Sequence, residues 1–274
     1  MVELPGVCMT LPDFMLRSFL FRFLPPPLNK YFFNELYAVF LACKSLQKIH
    51  KTMVDVGAHL GESALPFLKL NWNVYAFEPD PINLLTLRKK TSSFNKCIIS
   101  NNAVLNKNQK GLSFYRSEES SGISCLYPFM DSFFEISKVN AVTLKSYLSA
   151  QKIKNIGVLK IDAEGCDLFV LQGFPWNACH PEIILAEYED SKTLAVGYTT
   201  KDLARFLQEK DYYLFISEWE PVRRYGGNHK WKSVEVFSSK KQHNKCWGNL
   251  IAFSKRSFSS IVWRKRGFFI KEIK

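Results

Sequence analysis

From Thr52 onward, short apolar runs alternate with stretches in which apolar positions recur every three or four residues. Thr52–Val56 is β-branched and stops at Gly57, which predicts a strand ending in a turn. Residues 62–70 suit a helix, with Pro66 tolerable only near its first turn. The same rhythm predicts strands over Asn73–Phe77, Cys97–Ser100, 157–161, 182–187, 212–216 and 250–253, and helices over 81–90, 166–173 and Thr200–Glu209. Residues 106–140 are rich in Ser, Asn and Gly and predict a hairpin with an irregular excursion around Phe114 and Leu126. Strands alternating with helices in this way predict an α/β, Rossmann-like fold: a mostly parallel seven-stranded sheet with helices on both faces.

Upstream, residues 31–48 read as a helix whose apolar face holds Phe32, Leu36, Val39, Phe40 and Leu46, following the break at Pro25, Pro26 and Pro27. The division that results is a helical extension over 1–50, one domain over 51–254 and a basic tail over 255–274. Within the domain, 218–248 is an aromatic and basic insertion suited to an acceptor loop. No uninterrupted apolar run reaches the length of about 18 residues that a spanning helix needs. Arg17 and Arg22 interrupt the N-terminal apolar stretch, and no small-residue cleavage site follows it, so neither a span nor a signal peptide is expected.

Composition narrows this further. Hydrophobic residues make up 47% of the 274 positions, ample for a sizeable core and far from a disordered chain. The 23 phenylalanines, 11 tyrosines and 6 tryptophans exceed what a core alone needs, which leaves aromatics for a pocket or a sugar- or lipid-facing surface. Seven cysteines without a CxxC pair predict free thiols and a cytoplasmic setting rather than a zinc site or disulfide frame. The net charge of +12 is concentrated late, with 17 basic against 7 acidic residues from Lys201 to Lys274. Such asymmetry suits an anionic partner: nucleic acid, an acidic glycan, or an anionic membrane on which the protein docks peripherally.

Candidate chemistry lies at three strand ends, where open parallel sheets bind ligands. The first is Asp55-Val56-Gly57-Ala58-His59-Leu60-Gly61. Gly57 permits a sharp turn and close approach of a ligand, and Gly61 opens a helix. The Gly-Lys-Ser/Thr ending of a phosphate loop is missing, and so is the GxGxxG of a dinucleotide site. Asp55 suits a cationic ammonium or sulfonium, such as the methionine end of S-adenosylmethionine. The second, YAFEP, places Glu78 after the next strand, where an acid accepts from both ribose hydroxyls. The third, LKIDAEG, sets Asp162 and Glu164 directly behind a buried strand, so both should face a solvated cleft.

DVGAHLGES, YAFEPDP, VTLKSYL, LKIDAEGCDLFVLQG and ILAEYE, in this order, resemble the FkbM-type methyltransferases, a branch of the class I S-adenosylmethionine-dependent enzymes. The likeness covers residues 52–190 well. It implies O-methylation, commonly of a sugar hydroxyl in a glycan or glycolipid. Carried over by position, Gly57, Ala58 and Gly61 hold the amino-acid end of the cofactor, and Asp55 contacts it directly or through water. Glu78 takes the ribose, Asn102 and Ala103 border the adenine, residues 122–124 lie near the cofactor, and Asp162 and Glu164 face the transferred methyl.

A sugar hydroxyl needs a proton acceptor as its oxygen attacks. Asp162 is the expected base or orienting group, with Glu164 in support. His229, in the glycine-containing loop RRYGGNHKW, competes for the role because its ordinary pKa is near 6.5. Asp162 and Glu164 offer oxygens of the kind Mg²⁺ takes, but two carboxylates do not make a site, so no metal is predicted. Two other functions fit parts of the pattern. The basic tail permits a nucleic-acid methyltransferase, although no RNA-binding module and no Asn/Asp-Pro-Pro-Tyr/Phe segment is present. A non-catalytic cofactor-binding module is the other, and the four retained acids at 55, 78, 162 and 164 argue against it.

Overall fold

The computed structural model describes residues 49–241, 243 and 246–256, together with Glu35, Leu36, Val39 and Cys43 and the backbone of residues 2–4 and 7–9. The tail from 257 and most of the extension, including its predicted helical face at Phe32, Phe40 and Leu46, lie outside the described residues. The extension departs from the helical prediction at its start, where β1 (Val2–Leu4) and β2 (Val7–Met9) pair antiparallel. Glu35, Leu36, Val39 and Cys43 are helical, as the apolar spacing predicts.

The main sheet is built from β3 (Thr52–Val56), β4 (Asn73–Phe77), β5 (Cys97–Ser100), β9 (Val158–Ile161), β10 (Ile183–Glu189), β11 (Tyr212–Trp219), β12 (Trp231–Val236) and β13 (Trp247–Ser254). Their spatial order is β12-β11-β13-β10-β9-β3-β4-β5. The five strands from β10 to β5 are mutually parallel, and β13 runs antiparallel between β10 and β11. Strand order reverses between β3 and β9, so the loops after these two strands face each other at the switch point.

Each strand serves both faces of the sheet, and alternation assigns the side chains. Val54, Val56, Leu159, Ile161, Ile184 and Ala186 point to one core, covered by α3 (Leu144–Ala150), α4 (Asp167–Gln172) and α6 (Thr200–Glu209). Met53, Val74, Ala76, Val158, Ile183 and Leu185 point to the other, covered by α1 (Ala64–Lys69), Leu87 of α2 (Pro81–Thr91), and Val39 and Cys43 of the extension. Pro66 falls in the first turn of α1, where its missing N–H costs no hydrogen bond.

The sheet has eight strands, not the predicted seven. The eighth, β12, lies inside the segment expected to be an insertion and pairs antiparallel with β11, which continues three residues past its predicted end at 216 to Trp219. Along β12, Ser233 and Glu235 alternate with Val234 and Val236 as on an edge strand, and the register with β11 shifts just before them. Residues 103–142 form a separate sheet of β6 (Ala103–Val104), β8 (Phe133–Val142) and β7 (Gln109–Ser117), which contains the predicted hairpin and packs on its own small core around Phe114, Leu126 and Cys166. The six described cysteine side chains are free thiols. No helix among the described residues is long and apolar enough to cross a membrane.

Candidate active site

A cavity of about 450 Å³ opens at the switch point, within the range of roughly 300–1,000 Å³ common for small-molecule sites. Gly57, Ala58, His59, Glu78, Asn102, Ala103, Asp162 and Glu164 line it, joined by the turn at Ser121–Ile123 and by Tyr225, His229 and Trp247. All three strand ends therefore converge on one space, and the 218–248 segment contributes to it.

The loop after β3 is built for close approach. Gly57 has φ of 73°, and a Cβ there would come within 1.9 Å of the Asp162 carbonyl oxygen, so the first and third motifs touch through their backbones. The amides of Gly57 and Ala58 both donate to the Phe77 carbonyl at 3.0 Å, and the Gly57 carbonyl accepts from Lys160 Nζ at 2.6 Å. What Gly57 and Ala58 offer a ligand is proximity rather than free amides. Gly61 does not line the cavity; a Cβ on it would meet Leu87 of α2 at 2.9 Å, so packing explains this glycine.

Asp55 is fully buried and also absent from the cavity wall. Its carboxylate accepts from Ser63 Oγ at 2.5 Å, and its other oxygen stands 3.5 Å from Lys160 Nζ. Burial raises its pKa, opposed by Lys160. Lys160 in turn reaches Asp162 Oδ2 at 3.3 Å, so it bridges the acid beneath the loop to the acid in the cavity. Burial alone would lower the Lys160 pKa, but Asp162 and Asp55 carry it above its ordinary value.

Glu78 is buried at the end of β4, where Oε2 accepts from His59 N at 2.7 Å and Oε1 from Asp80 N at 2.9 Å. Burial pushes its carboxyl up to about 8 despite these two donors. The neighbouring Asp80 caps α2 through Ile82 N and Asn83 N, receives two bonds from Arg116 at 2.9 and 2.8 Å, and accepts from Ser124 Oγ at 2.9 Å. Asn83 Nδ2 donates to the Ser121 carbonyl. The turn bearing Gly122, Ile123 and Ser124 is thus tied to α2 and β7. Asn102 rests on Ser100 Oγ through its side-chain amide at 3.0 Å.

Asp162 and Glu164, expected to face a cleft together, are placed differently. The Asp162 side chain is 38% exposed, whereas Glu164 is 8% exposed and bonded to Lys192 Nζ at 2.6 Å. Glu164 has φ of 49°, a left-handed turn that directs its side chain inward, and burial pushes its carboxyl up to about 7 against the pull of Lys192. His229 lines the cavity with its ring edge against Trp247 at 5.0 Å between centroids; burial lowers its pKa, which favours the neutral imidazole. His59 meets Ser121 Oγ at 3.1 Å.

Lys160, Lys192, Asp80 and Arg116 escape the sequence reading. Two carried a visible signal: a lysine inside the apolar strand β9, in register with Asp55 of β3, and two glutamates at alternate positions of β10 that require a nearby cation.

This sheet order and this site define a class I methyltransferase fold. The methyltransferase FkbM domain matches residues 55–214, more than half of the chain, and the chain belongs to the FkbM methyltransferase family. The family's reaction class is methyl transfer from S-adenosylmethionine. Similar solved structures include the methyltransferase FkbM from Methylobacillus flagellatus KT, at 15% identity over 86% of this chain and 58% of that chain, with a TM-score of 0.43. Precorrin-6y C5,15-methyltransferase from Geobacter metallireducens GS-15 is 12% identical over 80% and 88% of the two chains, at 0.39. Magnesium protoporphyrin IX methyltransferase from Synechocystis PCC 6803, with bound SAM, is 7% identical over 91% and 87%, at 0.41. No curated protein sequence matches the chain.

Proposed function

We propose that the protein transfers a methyl group from S-adenosylmethionine to a hydroxyl of a sugar in a glycan or glycolipid. One observation carries the reading: Asp162 is the half-open carboxylate of a floor whose other acids, Glu164, Glu187 and Glu189, are buried, and it shares its cavity with Tyr225, His229 and Trp247. Aromatic faces beside a carboxylate suit a polyhydroxylated acceptor, the faces packing on C–H groups and the carboxylate accepting from hydroxyls.

The residues fit the cofactor. Gly57 lines the cavity, and its lack of a side chain lets the Asp162 backbone pack against it, so the two loops meet at the cofactor; Glu78 presents a carboxylate for two ribose hydroxyls; Asn102 and Ala103 border the position of the base. Asp55 acts from below by holding Lys160. S-adenosylmethionine supplies a methyl on a sulfonium, whose departure as a neutral thioether needs no acid. Asp162 orients the acceptor hydroxyl and takes its proton as the oxygen bonds to the methyl carbon. Neutral His229 is the alternative acceptor of that proton.

Mass spectrometry of glycans from cells with and without the protein tests this: loss of one methyl group from a sugar supports it. Unchanged glycans beside methyl incorporation into RNA would overturn it. The basic excess of residues 201–274 supports delivery of the acceptor on an anionic membrane, as for a lipid-linked glycan. Failure of the full chain to co-sediment with anionic vesicles at low salt would remove that part.

A further inference from the structure

Lys192 lies in α5 (Asp190–Thr193), directly behind β10, and is only 4% exposed. Its Nζ stands 2.6 Å from Glu164 Oε2 and 3.1 Å from both Glu187 Oε2 and Glu189 Oε2. The rings of Phe129 and Tyr225 face it with centroids at 5.7 and 5.6 Å. Glu187 and Glu189 alternate along β10 and so share a face, and Glu164 arrives from the loop after β9. Three strand-end carboxylates and two aromatic faces replace the water an ammonium loses on burial.

The same floor holds oxygens that suit a different cation. One oxygen each from Asp162, Glu164 and Glu187 lie within 4.8 Å of one another, a set of the kind hard divalent ions take. Two of these three acids are already bonded to Lys192. We propose that Lys192 is the resident cation of the acceptor floor: its ammonium stands in for a divalent metal, organises Glu164, Glu187 and Glu189, and leaves Asp162, which is held by Lys160 instead, to face the acceptor. Lys192 is a positioning residue in this scheme. Burial alone would lower its pKa, but the three glutamates hold it well above the ordinary value, so the cation is permanent. Burial raises the pKa of Glu164 and Glu187 against the pull of the one ammonium, and neighbouring acids add to the rise.

The test reads metal rather than methyl, so its result is independent of the acceptor class. Mn²⁺ is titrated into the full chain and followed by paramagnetic resonance, with thermal melts at each point. Wild-type protein is expected to show only weak surface binding. Lys192→Met should bind Mn²⁺ about tenfold or more tightly than wild type, melt at higher temperature as Mn²⁺ is added, and lose both gains when Glu187→Gln is combined with it. Tight binding to wild type that Asp162→Asn abolishes would overturn the proposal, because the floor would then be a metal site with Lys192 in place. No gain in Lys192→Met would overturn it too, as would a variant that gives no cooperative melt with or without Mn²⁺.

Discussion

Asp162 follows directly on a strand whose four residues, Val158, Leu159, Lys160 and Ile161, are committed to the sheet, and its own carboxylate emerges beside that lysine 3.3 Å away. That placement makes a specific demand. Asp162→Asn keeps the shape and a hydrogen-bond acceptor but removes the base, so turnover should fall about a hundredfold or more while calorimetric affinity for the cofactor changes little. Near-full turnover would move the role to His229. Glu78 demands a pH dependence. Burial raises its carboxyl from 4.5 to about 8. The folded chain therefore holds a proton that the unfolded chain has released. Its contribution to stability of the free protein is complete below about pH 4.5 and is lost as pH rises through about 8. Two ribose hydroxyls donate to the charged form, so affinity for S-adenosylhomocysteine should rise up to about tenfold per pH unit until about pH 8, and Glu78→Gln should flatten the profile. A flat profile in the wild type would place the ribose elsewhere. These residues were legible because acids at the ends of apolar strands have few other uses. Asp55 departs from this pattern because it sits inside β3 rather than at its end: it alternates with Val54 and Val56, which turns its side chain to the other face of the sheet, toward Ser63 and Lys160.

At the scale of elements, the site depends on a junction whose partners no motif reveals. Asp80 caps α2 and binds Arg116 of β7 and Ser124 of the cavity turn, so one buried carboxylate joins three elements. The Asp80 side chain is fully buried and that of Arg116 is 16% exposed, which places the pair among those that cost most when broken. Arg116→Met should lower stability by about 3 kcal/mol in urea denaturation, and should speed hydrogen exchange around Ser121–Ile123 ahead of the main sheet. A loss below about 1 kcal/mol would mean that the α2 amides and Ser124 satisfy Asp80 unaided. The strands themselves were readable: Thr52–Val56 and Asn73–Phe77 are found with the predicted bounds, because parallel strands inside a sheet covered on both faces are nearly unbroken apolar runs, and the edge strand Cys97–Ser100 is found with its predicted bounds as well. The junction was not, since Asp80 and Arg116 are 36 positions apart and only the tertiary fold makes them neighbours. β12 was missed for another reason: an edge strand with one polar face looks like an ordinary polar loop when judged by composition.

Across the whole molecule, the described side chains of the extension pack as part of the domain. Val39 and Cys43 cover one face of the sheet beside Phe67 and Phe215, Leu36 reaches the cavity wall, and Glu35 is inserted against the antiparallel end of the sheet. Glu35 Oε1 accepts from Trp219 Nε1 at 2.6 Å and from Ser217 Oγ at 2.7 Å, and Ser217 Oγ also receives Trp231 Nε1. The apolar face of 31–48 foretold that this segment would pack; that its glutamate would be the point of attachment was not foretold, because its partners lie more than 180 positions away. Among the described residues the groups that act on this carboxyl are neutral donors, and burial raises its pKa. A neutral Glu35 is the form the fold prefers, so its share of stability is complete below the ordinary carboxylate pKa and is lost as pH climbs through the raised one. Glu35→Gln retains the oxygen that Trp219 and Ser217 use and removes the charge. Urea denaturation should show the variant more stable than wild type at neutral pH and nearly equal to it under acid conditions, with the pH slope correspondingly reduced. A variant less stable at neutral pH would show that the carboxylate is charged and paired, and that the extension is held by an ion pair instead of by hydrogen bonds from one indole and a serine.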